Sequence, residues 1–104
     1  MSLRSPSGFS GASAPEVFLD ALGHEILAEK ASALGRAGAR AGSALARLAA
    51  HQGAEAERRT LLAETADAVY VWFIQRELCG FRRHDSVIRE FAIPREVLVR
   101  LGAK

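Results

Sequence analysis

The chain has one cysteine, Cys79, so no disulfide can close within it, and this usage fits a reducing compartment. It also has no long apolar run. The longest, Ala68 to Ile74, is far shorter than the roughly 20 residues a membrane-spanning helix needs. The first residues, Met1 to Ala14, hold Arg4 and then mostly Ser, Gly and Pro, with no continuous apolar stretch like the core of a secretory signal. Charge of one sign is lacking as well: 14 basic and 12 acidic residues leave a formal net charge of +2, too little for a global nucleic-acid signature. These absences predict a soluble, cytoplasmic protein.

Motifs with chemistry are equally scarce. No Glu is followed three residues later by His, which argues against a ferritin-like di-iron site. His24–Glu25 lacks the second His of a zinc-protease helix, and Gly35, Gly38 and Gly42 follow no strand and precede no Lys-Ser/Thr pair, so they form no phosphate loop. Glu16, Asp20 and His24 share one helical face at i, i+4 and i+8, a pattern that suits a metal but more often marks a solvated face. Cys79 is expected at a helix C-terminus, where thiolates are not favoured, although Arg76, Arg82 and Arg83 push the other way. No catalytic residue, cofactor or metal is assigned, and an enzyme is not expected. A small metal or thiol enzyme using Glu16, Asp20 and His24, or Cys79, is the third-ranked reading.

What the chain does have is helix-forming sequence over a length of 104 residues, enough for one domain. Met1 to Ala14 reads as a flexible tail with Phe9 its one large apolar ring. Ser13, Pro15 and Glu16 form a helix start, and no strong breaker follows until Gly53. Leu27, Ala31, Leu34, Gly38, Ala41, Leu45 and Leu48 alternate spacings of four and three, a heptad seam. The spacing predicts a first helix over 15–50, continuous through its three glycines. Gln52–Gly53–Ala54 makes the turn, with His51 at the negative helix end. A second helix is predicted over 55–79, stopped by Gly80.

The run Val69–Tyr70–Val71–Trp72–Phe73–Ile74 also suits a β-strand, but helix-compatible sequence flanks it without turn residues. As a helix it is apolar all round, so Val69, Tyr70, Trp72, Phe73 and Ile74 are expected in the core or at a dimer contact. The two helices would be about 50 Å and nearly 40 Å long. Folded back, Cys79 should reach Glu25, Ala31 should face Trp72, and Gly38 and Ala41 should face Leu62 and Thr65. The remaining overhang, Val17 to Ile26, would be covered by the C-terminal segment.

That segment reads as short helices over 86–91, capped by Asp85 beside an exposed His84, and 94–101, ended by Gly102. From Arg76 to Lys104 it holds seven basic and four acidic residues, a net +3. Its outline resembles a DNA-binding helix-turn-helix, which makes Arg82, Arg83, Arg89, Arg95 and Arg100 candidate nucleic-acid contacts. The second helix would offer no Asn, Gln or Ser to read base edges, so nucleic acid ranks second.

Ala68, Trp72, Arg76, Glu77, Cys79, Gly80, Phe81, Arg82, Arg83, Asp85 and Ile93–Pro94–Arg95 together resemble small bacterial proteins of unknown function over the last third of the chain. The resemblance implies no activity. The sequence thus predicts an all-α fold: a long antiparallel helical hairpin with a short two-helix C-terminal cap. Two hairpins are expected to dimerise into a four-helix bundle that works as a structural or protein-interaction module.

Overall fold

The computed structural model describes residues 13–103. The tail expectation, with Phe9, therefore falls almost wholly outside the described residues. Four helices follow one another: α1 (Ala14–Ala50), α2 (Glu55–Leu78), α3 (Asp85–Glu90) and α4 (Arg95–Leu98). No strand occurs among the described residues, so Val69–Ile74 is helical.

The start of α1 is locally encoded. Ser13 Oγ accepts the Glu16 N–H at 3.2 Å, the Glu16 carboxylate accepts the Ser13 N–H at 3.1 Å, and Pro15 sits in the first turn. Two orphan donors of the helix end are satisfied by this reciprocal cap. α1 then runs unbroken through Gly35, Gly38 and Gly42. α2 begins with the Glu57 carboxylate accepting the Ala54 N–H at 3.2 Å. It ends where the Gly80 N–H bonds the Glu77 carbonyl and the Phe81 N–H bonds the Arg76 carbonyl, with Gly80 at φ +98°. Only glycine takes that conformation without a steric penalty, and both bonds satisfy last-turn carbonyls.

The hairpin is held by a seam of small residues against large ones. Ala37, Ala41, Ala44, Leu45 and Leu48 of α1 are buried against Leu62, Thr65, Ala66, Ala68, Val69, Trp72 and Phe73 of α2. Trp72 lies over Gly38, where an added Cβ would come within 3.1 Å of the indole nitrogen. The Thr65 hydroxyl, fully buried, lies 2.7 Å from the Leu61 carbonyl and 3.2 Å from the Ala44 carbonyl across the hairpin. Arg40–Asp67 and Arg47–Glu64 pair along the exposed edge, where such bridges add little.

The register differs from the one the sequence suggested. Trp72 faces Gly38 rather than Ala31, Thr65 faces Ala44 rather than Ala41, and the Cys79 thiol reaches the Lys30 carbonyl at 3.8 Å rather than Glu25. Two features set it, the seat of Trp72 over Gly38 and the connection that permits it. His51 and Ala54 both have extended backbone, so the chain runs on before it reverses. Thr65 is the tenth residue after Glu55 whereas Ala44 is six before Ala50, so α2 starts about 6 Å beyond the end of α1. Trp72 then settles over a residue without a side chain.

The C-terminal segment also departs from expectation. It packs beside the covered half of the hairpin and leaves the α1 overhang bare. Phe91 meets Trp72 edge-on, with centroids 4.9 Å apart, and lies beside Gly42. Val87, Ile93 and Val97 complete the core, and α4 packs on α2. The second short helix is one turn, Arg95–Leu98, rather than 94–101. Asp85 is the first residue of α3 and bonds Arg83 instead of capping. The α3 stop repeats the Gly80 geometry with a non-glycine residue: Ala92 has φ +50°, its N–H bonds the Arg89 carbonyl, and the Ile93 N–H bonds the Ile88 carbonyl.

The described shape is elongated, with a radius of gyration of 20.8 Å, against roughly 12 Å for a compact domain of this size. Two outcomes follow. Trp72→Ala should lower stability by about 3–5 kcal/mol in denaturant melts, because it empties the centre of the seam. Ala92→Gly should raise the melting temperature, with a gain of at most about 1 kcal/mol, because relief of left-handed strain exceeds the added flexibility of the unfolded chain. An unchanged or lower melting temperature would contradict the Ala92 assignment.

Candidate protein-interaction face

α2 and its terminal turn end opposite Lys30, so the first four turns of α1 stand alone. Along them Phe18, Leu19 and Leu27 are 65%, 62% and 64% exposed, whereas Leu45 and Leu48, further along the same helix, are 8% and 5% exposed. Leu22 and Ile26 are also exposed. At 100° per residue, Phe18, Leu19, Leu22 and Ile26 gather on one side of α1. One edge of that side, Leu19 and Ile26, is in line with Ala37 and Ala44, which α2 covers, while Phe18 and Leu22 are rotated further from α2. Asp20 and His24 lie on the opposite side. The bare stretch is therefore an amphipathic helix whose apolar side has lost its partner.

The candidate metal row does not converge. Glu16 to His24 spans about 12 Å of helix, and the Glu16 carboxylate is engaged in the helix cap. Among the described residues, no group of three His, Cys, Asp or Glu side chains is placed to hold a metal ion. Cys79 is half-buried with its thiol on the Lys30 carbonyl.

The five candidate nucleic-acid contacts are dispersed. Arg82 and Arg83 sit in the α2–α3 connection and Arg89 on α3. Arg83 pairs with Asp85 at 2.9 Å, a contact that raises the arginine's proton affinity and holds the aspartate below its usual range. Arg95 is on α4, and Arg100 lies near Arg59 and Leu62. Arg59 and Arg76 are 17 residues apart on α2, so the Arg100 region and the Arg82–Arg83 loop are separated by about 25 Å. A four-residue α4 presents a single helical turn, which is short for a groove-reading helix.

Of the five residues expected in the core or at a dimer contact, Val69, Trp72 and Phe73 are buried while Tyr70 and Ile74 are 42% and 38% exposed. Sequence reasoning missed Arg76 and misread His84. The Arg76 Nε–H donates to His84 Nδ1 at 3.0 Å, its terminal nitrogen donates to the Arg83 carbonyl at 2.9 Å, and its guanidinium lies 4.9 Å from the Phe81 ring centre. The His84 ring stacks on Phe73 at 4.1 Å with Nε2 3.0 Å from Glu77. His84 was expected to be exposed beside a capping Asp85. Instead it is largely covered and anchors the connection. Spacing of eight residues between Arg76 and His84 carries no periodic signal across a turn.

At the hairpin end, a groove of about 430 Å³ lies between α1 and the C-terminal segment, lined by Gly42, Leu45, Ala49, His51, Phe91 and Glu96 among others. Its polar groups are already paired with one another. Arg58 grips Glu96 through both carboxylate oxygens, and His51 Nε2 accepts the Gly53 N–H at 3.1 Å. His51 thus braces the turn itself, while its backbone N–H bonds the Leu48 carbonyl.

The chain belongs to a family of unknown function (DUF6665), whose model matches residues 1–104. The match spans the whole chain and not the last third alone. No curated protein and no solved structure matches it. No helix among the described residues is long and apolar enough to cross a membrane.

The Arg58–Glu96 grip ties α4 to the start of α2 and gives a pH dependence with a definite sign. Hydrogen bonding from Arg58, reinforced by its charge, holds the Glu96 carboxyl below its ordinary value of 4.5. A carboxyl more acidic in the folded chain adds stability above that ordinary value, and loses it as pH falls through the lower folded value. Glu96→Gln should therefore melt slightly below the wild type at neutral pH, with the gap closing in acid and in high salt. A gap that persists in acid would contradict the grip.

Proposed function

We propose that the protein is a non-enzymatic interaction module that works as a helical homodimer, with the bare apolar side of α1 as its working surface. The observation that carries this reading is the exposure of Phe18, Leu19, Leu22 and Ile26 on one side of a helix whose later half is partnered by α2, with Leu27 exposed on the flank. Soluble monomers rarely leave such a contiguous apolar patch open, and one rimmed by polar residues marks an interaction site. Glu16 and Lys30 on one flank and Glu25 on the other supply that rim. The half-exposed Tyr70 and Ile74 offer a second, smaller apolar area on α2. The lone thiol at Cys79 supports a cytoplasmic setting.

Light-scattering mass on a sizing column tests the reading. The expected result is a species of twice 11.2 kDa, free of absorbance from nucleic acid. A species of 11.2 kDa at all concentrations would overturn the homodimer. Co-elution with nucleic acid that is lost in high salt would instead assign the function to the arginines.

A further inference from the structure

Resting on the homodimer reading, we infer that the partner of the bare α1 stretch is the same stretch of a second copy, running antiparallel across a two-fold axis near Leu22. The hairpins then join end to end and do not stack side by side.

Continuity of the apolar side selects this geometry. From Ala33 to Leu48 that side of α1 faces its own α2, which stops opposite Lys30. A helix covering the Leu19–Ile26 edge lies in line with α2, in the space beyond its end. An antiparallel second copy satisfies this for both chains at once, because each overhang fills the space beyond the other's α2. A parallel copy would run into α2 unless the hairpins splayed apart.

Length fixes the register. The incoming helix begins at Ala14 and meets the end of the partner's α2 at the level of Lys30. Full overlap therefore centres on Leu22, midway between the two. There the helix is free of intrachain obstruction: a Cβ added at Gly23 would meet nothing within 4 Å. Leu19 and Ile26 then lie at nearly equal distances on either side of the axis, each level with the other's counterpart.

Area and charge agree with a second copy as occupant. The four large side chains on that side hold on the order of 400 Å² of exposed surface per chain, so pairing them would bury about 800 Å², the range of a weak, concentration-dependent association. The order of charge along the stretch is also suited to antiparallel pairing. Lys30 of one chain comes within a turn of the other's Glu16, and Glu29 approaches the positive end of the other's α1. A parallel pair would set each acidic residue beside its own copy.

Small-angle scattering combined with light-scattering mass tests this on the full chain, its Leu22→Asp variant and its Ile74→Asp variant. Both substituted residues are exposed, and circular dichroism reports whether each variant keeps its helices. The expected result is a dimer with a longest dimension of about 125 Å, two single-chain lengths of 74 Å less the roughly 24 Å over which Ala14–Lys30 overlap. Leu22→Asp should convert it to a folded monomer while Ile74→Asp stays dimeric. A dimer no longer than the single chain's 74 Å, or one that survives Leu22→Asp and dissociates with Ile74→Asp, would overturn the overhang pairing while leaving the homodimer standing. A monomeric wild type would overturn both. If Leu22→Asp lost its helices, Leu19→Asp at the neighbouring exposed position would take its place, with the same outcomes deciding.

Discussion

The packing of Trp72 over Gly38 is the contact on which the rest of the structure depends. It sets how far α2 slides along α1, because the indole fits only where α1 presents no side chain. That slide places Thr65 at Ala44 and brings Cys79 to Lys30. It also brings Trp72 edge-on to Phe91, which lies beside Gly42, so the C-terminal segment is recruited to the same half of the hairpin. The bare stretch of α1 is the direct consequence. A 37-residue helix paired with a 24-residue helix that begins beyond its end must leave its first turns unaccompanied.

Energetically the hairpin relies on shape more than on large apolar bulk. Three of the five buried α1 residues are alanine, which contributes little apolar area but lets helices approach closely, so large α2 residues can pack against the α1 backbone. Edge ion pairs between exposed groups add little, and the C-terminal segment compensates by closing over Trp72 with Phe91, Val87, Ile93 and Val97. The amphipathic first half of α1, in contrast, has helix propensity and a cap but no burial. Isolated helices of that length are marginal in water. Its extension from a stable hairpin supplies the nucleus, and a partner would supply the burial.

Local signals are legible in the sequence, whereas contacts made across turns and between helices are not. Ser13, Pro15 and Glu16 announced the start of α1, Gly80 announced the stop of α2, and the all-α class followed from periodicity. Val69, Trp72 and Phe73 were placed in the core by the same pattern, while half-exposed Tyr70 and Ile74 show that apolar residues around a whole helix need not all be covered. The register was missed because it depends on the extended backbone of His51 and Ala54 and on which small residue accepts Trp72, neither of which has a spacing signature. The Arg76–His84–Glu77 cluster was missed for the same reason, since a turn brings it together. Ala92 in a left-handed conformation contradicts its own preference, and only its place between Arg89 and Ile93 enforces it.

The central claim is that one apolar side of α1 has two halves with different partners, α2 for the later half and a second copy for the earlier. Hydrogen exchange of backbone amides, followed across α1 at a series of protein concentrations, tests it most directly. Amides over 33–48 should exchange slowly at every concentration, whereas those over 18–29 should be slow at high concentration and become fast on dilution. Exchange over 18–29 that does not change with concentration, whether fast or slow, would contradict the account.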